Sequence, residues 1–188
     1  MRSRSSAAAK RSSSEVLREQ VLDPAGTGTA WVDGDEPARA PLARGRAAAP
    51  GGGTVDVTDL LHPSAAWAAG AVAGTAADAL AFSRALAGGE LLPAEQVTAM
   101  RAWTPTAHPL FPLVEGYGLG PALMRPGRWQ AHGHPGDIPG YSALLAHVPE
   151  HGTHVVVLLA EDHVPPQDGR LPVERRALAA LEEVAPVR

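Results

Sequence analysis

The segment that decides the fold is residues 141–160, YSALLAHVPEHGTHVVVLLA. Its two halves are rich in aliphatic and β-branched residues, which favour strands. Between them, Pro149-Glu150-His151-Gly152 supplies a fixed φ at proline and a glycine that tolerates left-handed backbone. The pattern therefore predicts a β-hairpin formed by Tyr141–Val148 and Thr153–Ala160. The run Val155–Leu159 is apolar on both faces, as expected of a central strand that helices cover.

Helical patterns lie on both sides of this hairpin in the chain. Thr75-Ala76-Ala77-Asp78 begins one helix with a capping-box arrangement, and Gly88-Gly89 ends it. In another helix, Pro93 stands at an early position, where its missing N–H is harmless. An amphipathic pattern near the C-terminus predicts a last helix. The predicted helices cover Ser12–Leu22, Thr75–Gly88, Leu92–Trp103 and Val173–Val184.

Two further strands are predicted upstream of the hairpin, one starting at Gly116–Gly120 and the next containing Trp129–His132. By contrast, Thr27–Gly53 is rich in Gly, Pro and Arg, with no sustained period, and predicts a long surface excursion. A loop of that length indicates a function or a missing packing partner. The order of helices, three or four antiparallel strands and a terminal helix indicates an α+β fold, an antiparallel sheet flanked by helices.

The composition of the 188 residues excludes several classes of function. The formal net charge of −4 excludes a globally basic nucleic-acid binder, and the absence of cysteine excludes disulfides and thiolate chemistry. No stretch approaches the roughly 20 apolar residues of a membrane span. Residues 1–11 are basic at the start but lack the apolar core of a signal peptide, so we predict a disordered tail. The compartment stays open.

A series of short segments, in a fixed order, carries a family resemblance. The segment Tyr117–Gly120 matches the family pattern YGLG, and Gly133–Ser142 is similar to GHtGgxpGyxS. The earlier members of the series are Ser12–Thr29, Pro41–Gly45, Ala69–Asp78 and Leu91–Pro93. In this order they resemble the penicillin-recognising serine hydrolases, the family of serine β-lactamases and D-alanyl-D-alanine carboxypeptidases. The resemblance implies a β-lactamase-like fold and an acyl-serine mechanism that uses no cofactor.

The resemblance also implies a set of site residues in the third active-site motif. Substrate backbone would lie against this strand like an added strand, and Gly133 and Gly136 would leave room for it. His134 would place its imidazole beside the reacting amide or the substrate carboxylate. The backbone N–H of Asp137 would be one of two oxyanion-hole donors. Pro135 stands where the family has threonine, so a hydroxyl and an N–H are missing from the substrate-binding strand.

Two other motifs of the family do not occur in these 188 residues. The single lysine is Lys10, and Ala7 stands three residues before it, so there is no Ser-x-x-Lys pair; there is also no asparagine for a Tyr-x-Asn element. In the family both motifs lie upstream of the segment that matches Ser12. We therefore expect residues 12–188 to be the C-terminal portion of the domain, with its N-terminal part absent and no turnover by this chain alone.

Three alternatives follow from the same residues. The chain could be a non-catalytic interaction module, because a half-domain exposes surfaces that bind partners. It could also be half of a split enzyme whose partner is the missing N-terminal fragment. The substrate of the intact parent would be a small molecule or a peptide. A metal-binding hydrolase is the third, because His132, His134 and Asp137 lie close in sequence. Other histidines could converge on them, namely His147, His151, His154 and His163. Histidines scattered over a surface are commoner than histidines that bind a metal ion, so the sequence assigns no metal.

Overall fold

The computed structural model describes residues 11–161 and 170–184. All of the predicted disordered tail except Arg11 lies outside these residues. Helix α1 (Ser13–Leu17) continues as a π-helical segment, Arg18–Leu22. The later helices are α2 (Ala76–Gly88), α3 (Ala94–Met100) and α4 (Pro172–Val184).

The main sheet has six antiparallel strands in the spatial order β10-β9-β8-β7-β6-β5. Along the chain these strands are β5 (Thr104–Pro105), β6 (Val114–Tyr117), β7 (Ala122–Met124), β8 (Ala131–Ile138), β9 (Tyr141–Val148) and β10 (Thr153–Leu159). Two small antiparallel sheets precede it: β1 (Trp31–Val32) pairs with β4 (Val72–Ala73), and β2 (Arg46–Ala48) pairs with β3 (Thr54–Asp56).

The two faces of the main sheet carry different helices. Successive side chains of a strand point to opposite faces, and in β9 the buried residues Leu144 and Ala146 pack with Leu181 of α4 in the main core. The intervening residues Leu145 and His147 line a small cavity together with residues of α2 and α3. The domain therefore has three layers, with α4 on one face of the sheet and α2 and α3 on the other.

Several sequence predictions are confirmed. The hairpin has the expected bounds within one residue, and Gly152 in its turn has a φ of +61°. Helix α2 has the capping box, in which Thr75 and Asp78 bond each other's backbone N–H, and the left-handed Gly89 caps its C-terminus. The terminal helix begins at Pro172, one residue earlier than predicted. These elements depend on residues close together in the chain, which is why local patterns identify them.

Other predictions were wrong in detail. The strand predicted at Trp129–His132 begins only at Ala131 and runs through the whole third motif to Ile138. The sheet has six strands rather than three or four, because β5 and β7 are too short to show a pattern. The apolar strand β10 is an end strand of this sheet, not a central one, although both α2 and α4 pack against it. The helix expected over Leu92–Trp103 is limited to Ala94–Met100.

The segment Thr27–Gly53 is not a free surface excursion. It contributes β1 and β2, and Arg46 donates from its backbone N–H to the carbonyl oxygen of Ala160, beyond the end of β10. Nearby, Gly45 lies so close to Tyr141 that an added Cβ would be 2.7 Å from the ring. Long-range contacts of this kind leave no periodic signal, so sequence patterns could not show that the segment is anchored.

Candidate functional site

The candidate site lies along β8, where the strand extends past its neighbour β7. The ladder between β7 and β8 ends at the pair Ala122 and Gly133. From His134 to Ile138, the described part of the chain gives β8 a strand neighbour only on the β9 side. A strand with one open edge can accept an extended chain as an added strand, and this stretch contains the third motif.

Pro135 determines which backbone groups of β8 face that edge. In antiparallel pairs, residues that exchange hydrogen bonds alternate with residues that do not. Proline has no N–H, so the pair of Pro135 and Leu144 belongs to the second class. Asp137 is two residues further and pairs with Ser142. Its N–H therefore points away from β9, toward the side on which β7 has ended.

The imidazole of His134 is exposed on β8, and its tautomer follows from its hydrogen bond. The ring Nδ1 lies 2.5 Å from the carbonyl oxygen of Pro135. Because a carbonyl oxygen only accepts, Nδ1 carries a proton, and in the neutral form of the ring Nε2 is then the acceptor. The structure thus places a potential base or hydrogen-bond acceptor at the open edge of β8.

Aromatic rings continue from His134 along one side of the candidate site. The ring of Tyr117 in β6 lies 5.6 Å from that of His134, and His108 lies 6.3 Å from Tyr117. Phe111 follows at 5.0 Å from His108. Burial raises the pKa of the Tyr117 phenol, so it stays protonated at neutral pH. Sequence analysis singled out Tyr117 only as part of YGLG and did not place it beside His134.

The two glycines of the motif have different surroundings. A Cβ added to Gly133 would lie 1.8 Å from the carbonyl oxygen of Leu145, so the packing of β8 against β9 already requires glycine there. A Cβ added to Gly136 would meet only Ala143, at 4.0 Å. Only the surroundings of Gly136 leave room beside the strand.

A row of three histidines crosses the sheet on the face covered by α2 and α3. His132 in β8 pairs with His147 in β9, which pairs with His154 in β10. The rings of His147 and His154 stack at 4.2 Å, and His154 bonds Ser83 of α2 at 2.8 Å. At the other end, the ring of Trp103 lies 4.9 Å from that of His132. The predicted hairpin register already pairs His147 with His154, so sequence analysis could have found part of this row.

Burial lowers the pKa of all three histidines in the row. For His147 the loss of solvation is joined by the charges of His154, Arg101 and His132, and its pKa falls to about 4. The pKa of His132 is lowered by burial and then by Arg101. The row is therefore neutral at physiological pH.

The histidines that the structure describes are not arranged as a metal centre. Within the described residues, no group of three or more His, Asp or Glu side chains is arranged to hold a metal ion. His151 lies in the turn between β9 and β10, away from the row, and His163 lies outside the described residues. The rings of His147 and His154 stack in parallel, rather than directing nitrogens at one point.

The family comparison matches almost the whole chain. A family model described as Beta-lactamase matches residues 5–180. No curated protein matches the chain. No helix among the described residues has the length and apolar character needed to cross a membrane.

Solved structures resemble this chain over most of its length. The D-amino acid amidase from Ochrobactrum anthropi SV3, in a complex with D-phenylalanine, is 26% identical, with a TM-score of 0.80 over 90% of this chain. A D-stereospecific amidohydrolase from Streptomyces sp. is 24% identical, with a TM-score of 0.73 over 95% of this chain. A penicillin binding protein from Bacillus halodurans is 21% identical, with a TM-score of 0.63 over 90%. The chain spans 52%, 50% and 48% of these proteins, respectively, which is about half of their length.

Proposed function

This chain belongs to the Beta-lactamase family, and from that premise we propose that it is the C-terminal part of a serine hydrolase domain and forms one wall of the active site. The observation that carries the proposal is the open edge of β8 from His134 to Ile138, which coincides with the third motif. The proposed reaction is hydrolysis of a peptide, amide, ester or β-lactam bond through an acyl-serine intermediate.

The substrate class rests on the similar structures. One of them is named as a D-amino acid amidase, another as a D-stereospecific amidohydrolase, and the third as a penicillin binding protein. An amide with a D-configured residue at the reacting carbonyl is therefore the substrate we propose first. Its backbone would lie along β8, next to Gly136, where an additional atom would meet no close neighbour.

The residues of β8 would act on the carbonyl oxygen and on the leaving group. Attack by the serine oxygen, which gives its proton to the lysine of the Ser-x-x-Lys pair, forms a C–O bond, opens the C=O π bond and places negative charge on the carbonyl oxygen. Collapse of this intermediate breaks the bond to the leaving group and gives the acyl-serine, which water then hydrolyses. The N–H of Asp137 would stabilise that charge; removal of one such donor costs about 3–4 kcal/mol of barrier in other enzymes. His134 would accept or return a proton at Nε2, because Nδ1 is held by the Pro135 carbonyl oxygen.

The serine and its lysine would come from sequence outside these 188 residues. Lys10 is the only lysine and Ala7 stands three residues before it, so no Ser-x-x-Lys pair is present in the chain. The proposal therefore assigns substrate binding and oxyanion stabilisation to this chain, and nucleophilic attack to the remainder of the domain. We propose no turnover by the 188 residues alone, and no cofactor.

A fluorescent penicillin tests this proposal. The probe is added to the 188-residue chain and to the same chain extended in frame by the genomic sequence upstream of Met1. Labelling of the extended form alone supports the proposal. In that form, His134→Gln is expected to slow labelling, whereas His151→Gln, in an exposed turn, serves as the matched control. Labelling of the 188-residue chain itself would contradict the assignment of the nucleophile to other sequence.

A second proposal, complementation by a separate fragment, is favoured by the position of β10. This strand ends the six-stranded sheet, and Leu158 on it is 44% exposed. A separately encoded N-terminal half could pair with this strand edge and supply the serine. Mixing the chain with such a fragment should restore penicillin labelling, and labelling that is no greater than that of the fragment alone would contradict complementation.

A further inference from the structure

A second cavity lies on the opposite side of the sheet from His134. His134 pairs with Leu145, on the face covered by α2 and α3, whereas this cavity adjoins α4 on the other face. Its volume is about 190 Å³. The residues that matter for its chemistry are Leu113, Arg125, Arg170, Glu174 and Leu178. None of them belongs to the third motif.

Glu174 is the buried charged group of this cavity. The residue is only 2% exposed, and its Oε2 accepts a hydrogen bond from the backbone N–H of Leu171 at 3.0 Å, which caps the start of α4. The other oxygen, Oε1, is buried and meets no donor in good hydrogen-bond geometry among the described residues, although the backbone N–H of Leu113 also acts on the carboxylate. Helix capping therefore accounts for one oxygen of this carboxylate, and the second lacks a well-aligned donor.

Burying a carboxylate oxygen without a well-aligned hydrogen-bond donor destabilises the folded state by on the order of 1–3 kcal/mol or more. Burial raises the pKa of Glu174, although backbone N–H groups of Leu171 and Leu113 and the charge of Arg170 oppose that effect. A donor that enters the cavity and bonds Oε1 would remove this cost. An ammonium group is the strongest such donor, because the bond is then charge-assisted on both sides.

Two guanidinium groups complete the lining of the cavity. Arg125 donates from Nε to Glu115 at 2.8 Å and is about half exposed, so the Nη atoms of its guanidinium are available to another acceptor. Arg170 is exposed, and its charge acts on Glu174. The cavity thus combines a buried acceptor for a cation with outer donors for an anion, which is the charge pattern of a zwitterion.

We propose that this cavity binds a free α-amino acid, with its ammonium group donating to Glu174 Oε1 and its carboxylate accepting from Arg125 and Arg170. The volume corresponds to about six water molecules at ~30 Å³ each, so the cavity suits a small ligand. It is smaller than the ~300–1,000 Å³ of sites for drug-sized molecules. Binding here is separate from the proposed hydrolysis, since the sheet lies between the two sites.

Thermal unfolding and calorimetric titration of the full 188-residue chain test this proposal, with glycine and D-alanine as probes. We expect saturable binding and a rise in Tm that neither acetate nor methylammonium, at matched ionic strength, reproduces. Glu174→Gln keeps the shape of the side chain but removes its charge, and should weaken binding about tenfold. Glu183→Gln, on the exposed face of α4, is the matched control and should leave binding unchanged.

Arg125→Gln provides an independent readout if Glu174→Gln does not fold, because Arg125 lies at the surface. This variant should also weaken amino-acid binding. The absence of saturable binding of either amino acid would overturn the proposal. So would acetate binding as strong as that of glycine, because Glu174 would then have no part in recognition. Affinity left unchanged by Arg125→Gln would likewise overturn it.

Discussion

Asp78 accepts hydrogen bonds from the side chain and the backbone of Thr29, although 49 residues separate the two in the chain. The hydroxyl of Thr29 lies 2.5 Å from Oδ2 of Asp78, and its N–H lies 3.2 Å from Oδ1. Thr75 adds two more bonds, from its hydroxyl and its N–H. The acidic residue of the α2 capping box therefore also joins this helix to the turn that follows the π-helical segment.

Replacing Asp78 by asparagine should destabilise the fold by about 2–3 kcal/mol, because the donors of Thr29 and Thr75 would lose a buried, charged acceptor. Urea unfolding of the variant measures this loss. Asp35→Asn, at an exposed turn, is the matched control and should change the free energy of unfolding by less than about 0.5 kcal/mol. Equal losses in the two variants would mean that the Thr29 contact adds nothing to stability.

The same carboxylate predicts a dependence of stability on acid pH. Burial opposes ionisation of Asp78, but hydrogen bonds from Thr29 and Thr75 outweigh it and lower the pKa to about 2. A lowered carboxyl pKa stabilises the folded state above the unfolded pKa of about 4, and this contribution is lost as the pH falls toward 2. The difference in stability between wild type and Asp78→Asn should therefore shrink over that range.

The histidine row should make the free energy of unfolding depend on pH in a range above that of Asp78. His147 binds a proton near pH 6.5 when unfolded and only near pH 4 when folded, so stability should fall as the pH decreases between these values. The neighbouring charges, Arg84 and Arg101, are positive and do not offset protonation. We expect His147→Gln to reduce this loss by on the order of 1–3 kcal/mol.

Chemical denaturation at pH 7, 6 and 5 measures this effect of His147. His151→Gln removes an exposed histidine from the turn between β9 and β10, so it should leave the pH dependence as in the wild type. A wild-type protein equally stable at pH 7 and pH 5 would contradict a role for the row.

The two glycines of the third motif should respond differently to alanine. Gly133→Ala places a methyl group 1.8 Å from the Leu145 carbonyl oxygen, so β8 and β9 must separate, at a cost of about 3 kcal/mol or more. Gly136→Ala meets no atom closer than 4.0 Å and serves as the matched control. Thermal unfolding should show a large drop in Tm for Gly133→Ala only; a similar drop for both would contradict the open space beside Gly136.

In its neutral form, the imidazole of His134 should carry its proton on Nδ1, because the carbonyl oxygen of Pro135 accepts a hydrogen bond from that atom. Nitrogen-15 NMR of the imidazole distinguishes the two tautomers. We expect an Nδ1–H signal for His134 at neutral pH, whereas the exposed His151 provides a reference ring in the same spectrum. An Nε2–H tautomer at His134 would contradict the proposed proton transfer at Nε2.

Sequence patterns predicted the parts of the site that lie in one segment. The third motif, with His134 and Asp137, could be recognised as a unit because its residues are contiguous. Its open edge could not, because it depends on where β7 ends, and three residues of β7 carry no readable alternation. The same holds for the ring of Tyr117 beside His134, since their contact requires the correct order of strands β6, β7 and β8.

The sequence by itself determined the α+β class, the hairpin after the third motif, the caps of α2 and the family. These features rest on interactions within a few residues or on contiguous motifs. Only the tertiary structure decided that His132, His147 and His154 share one row, and that Glu174 and Arg125 line one cavity. Such contacts depend on strand register and on helix packing across the sheet, and a shift of one residue in register would move every side chain of a strand to the other face.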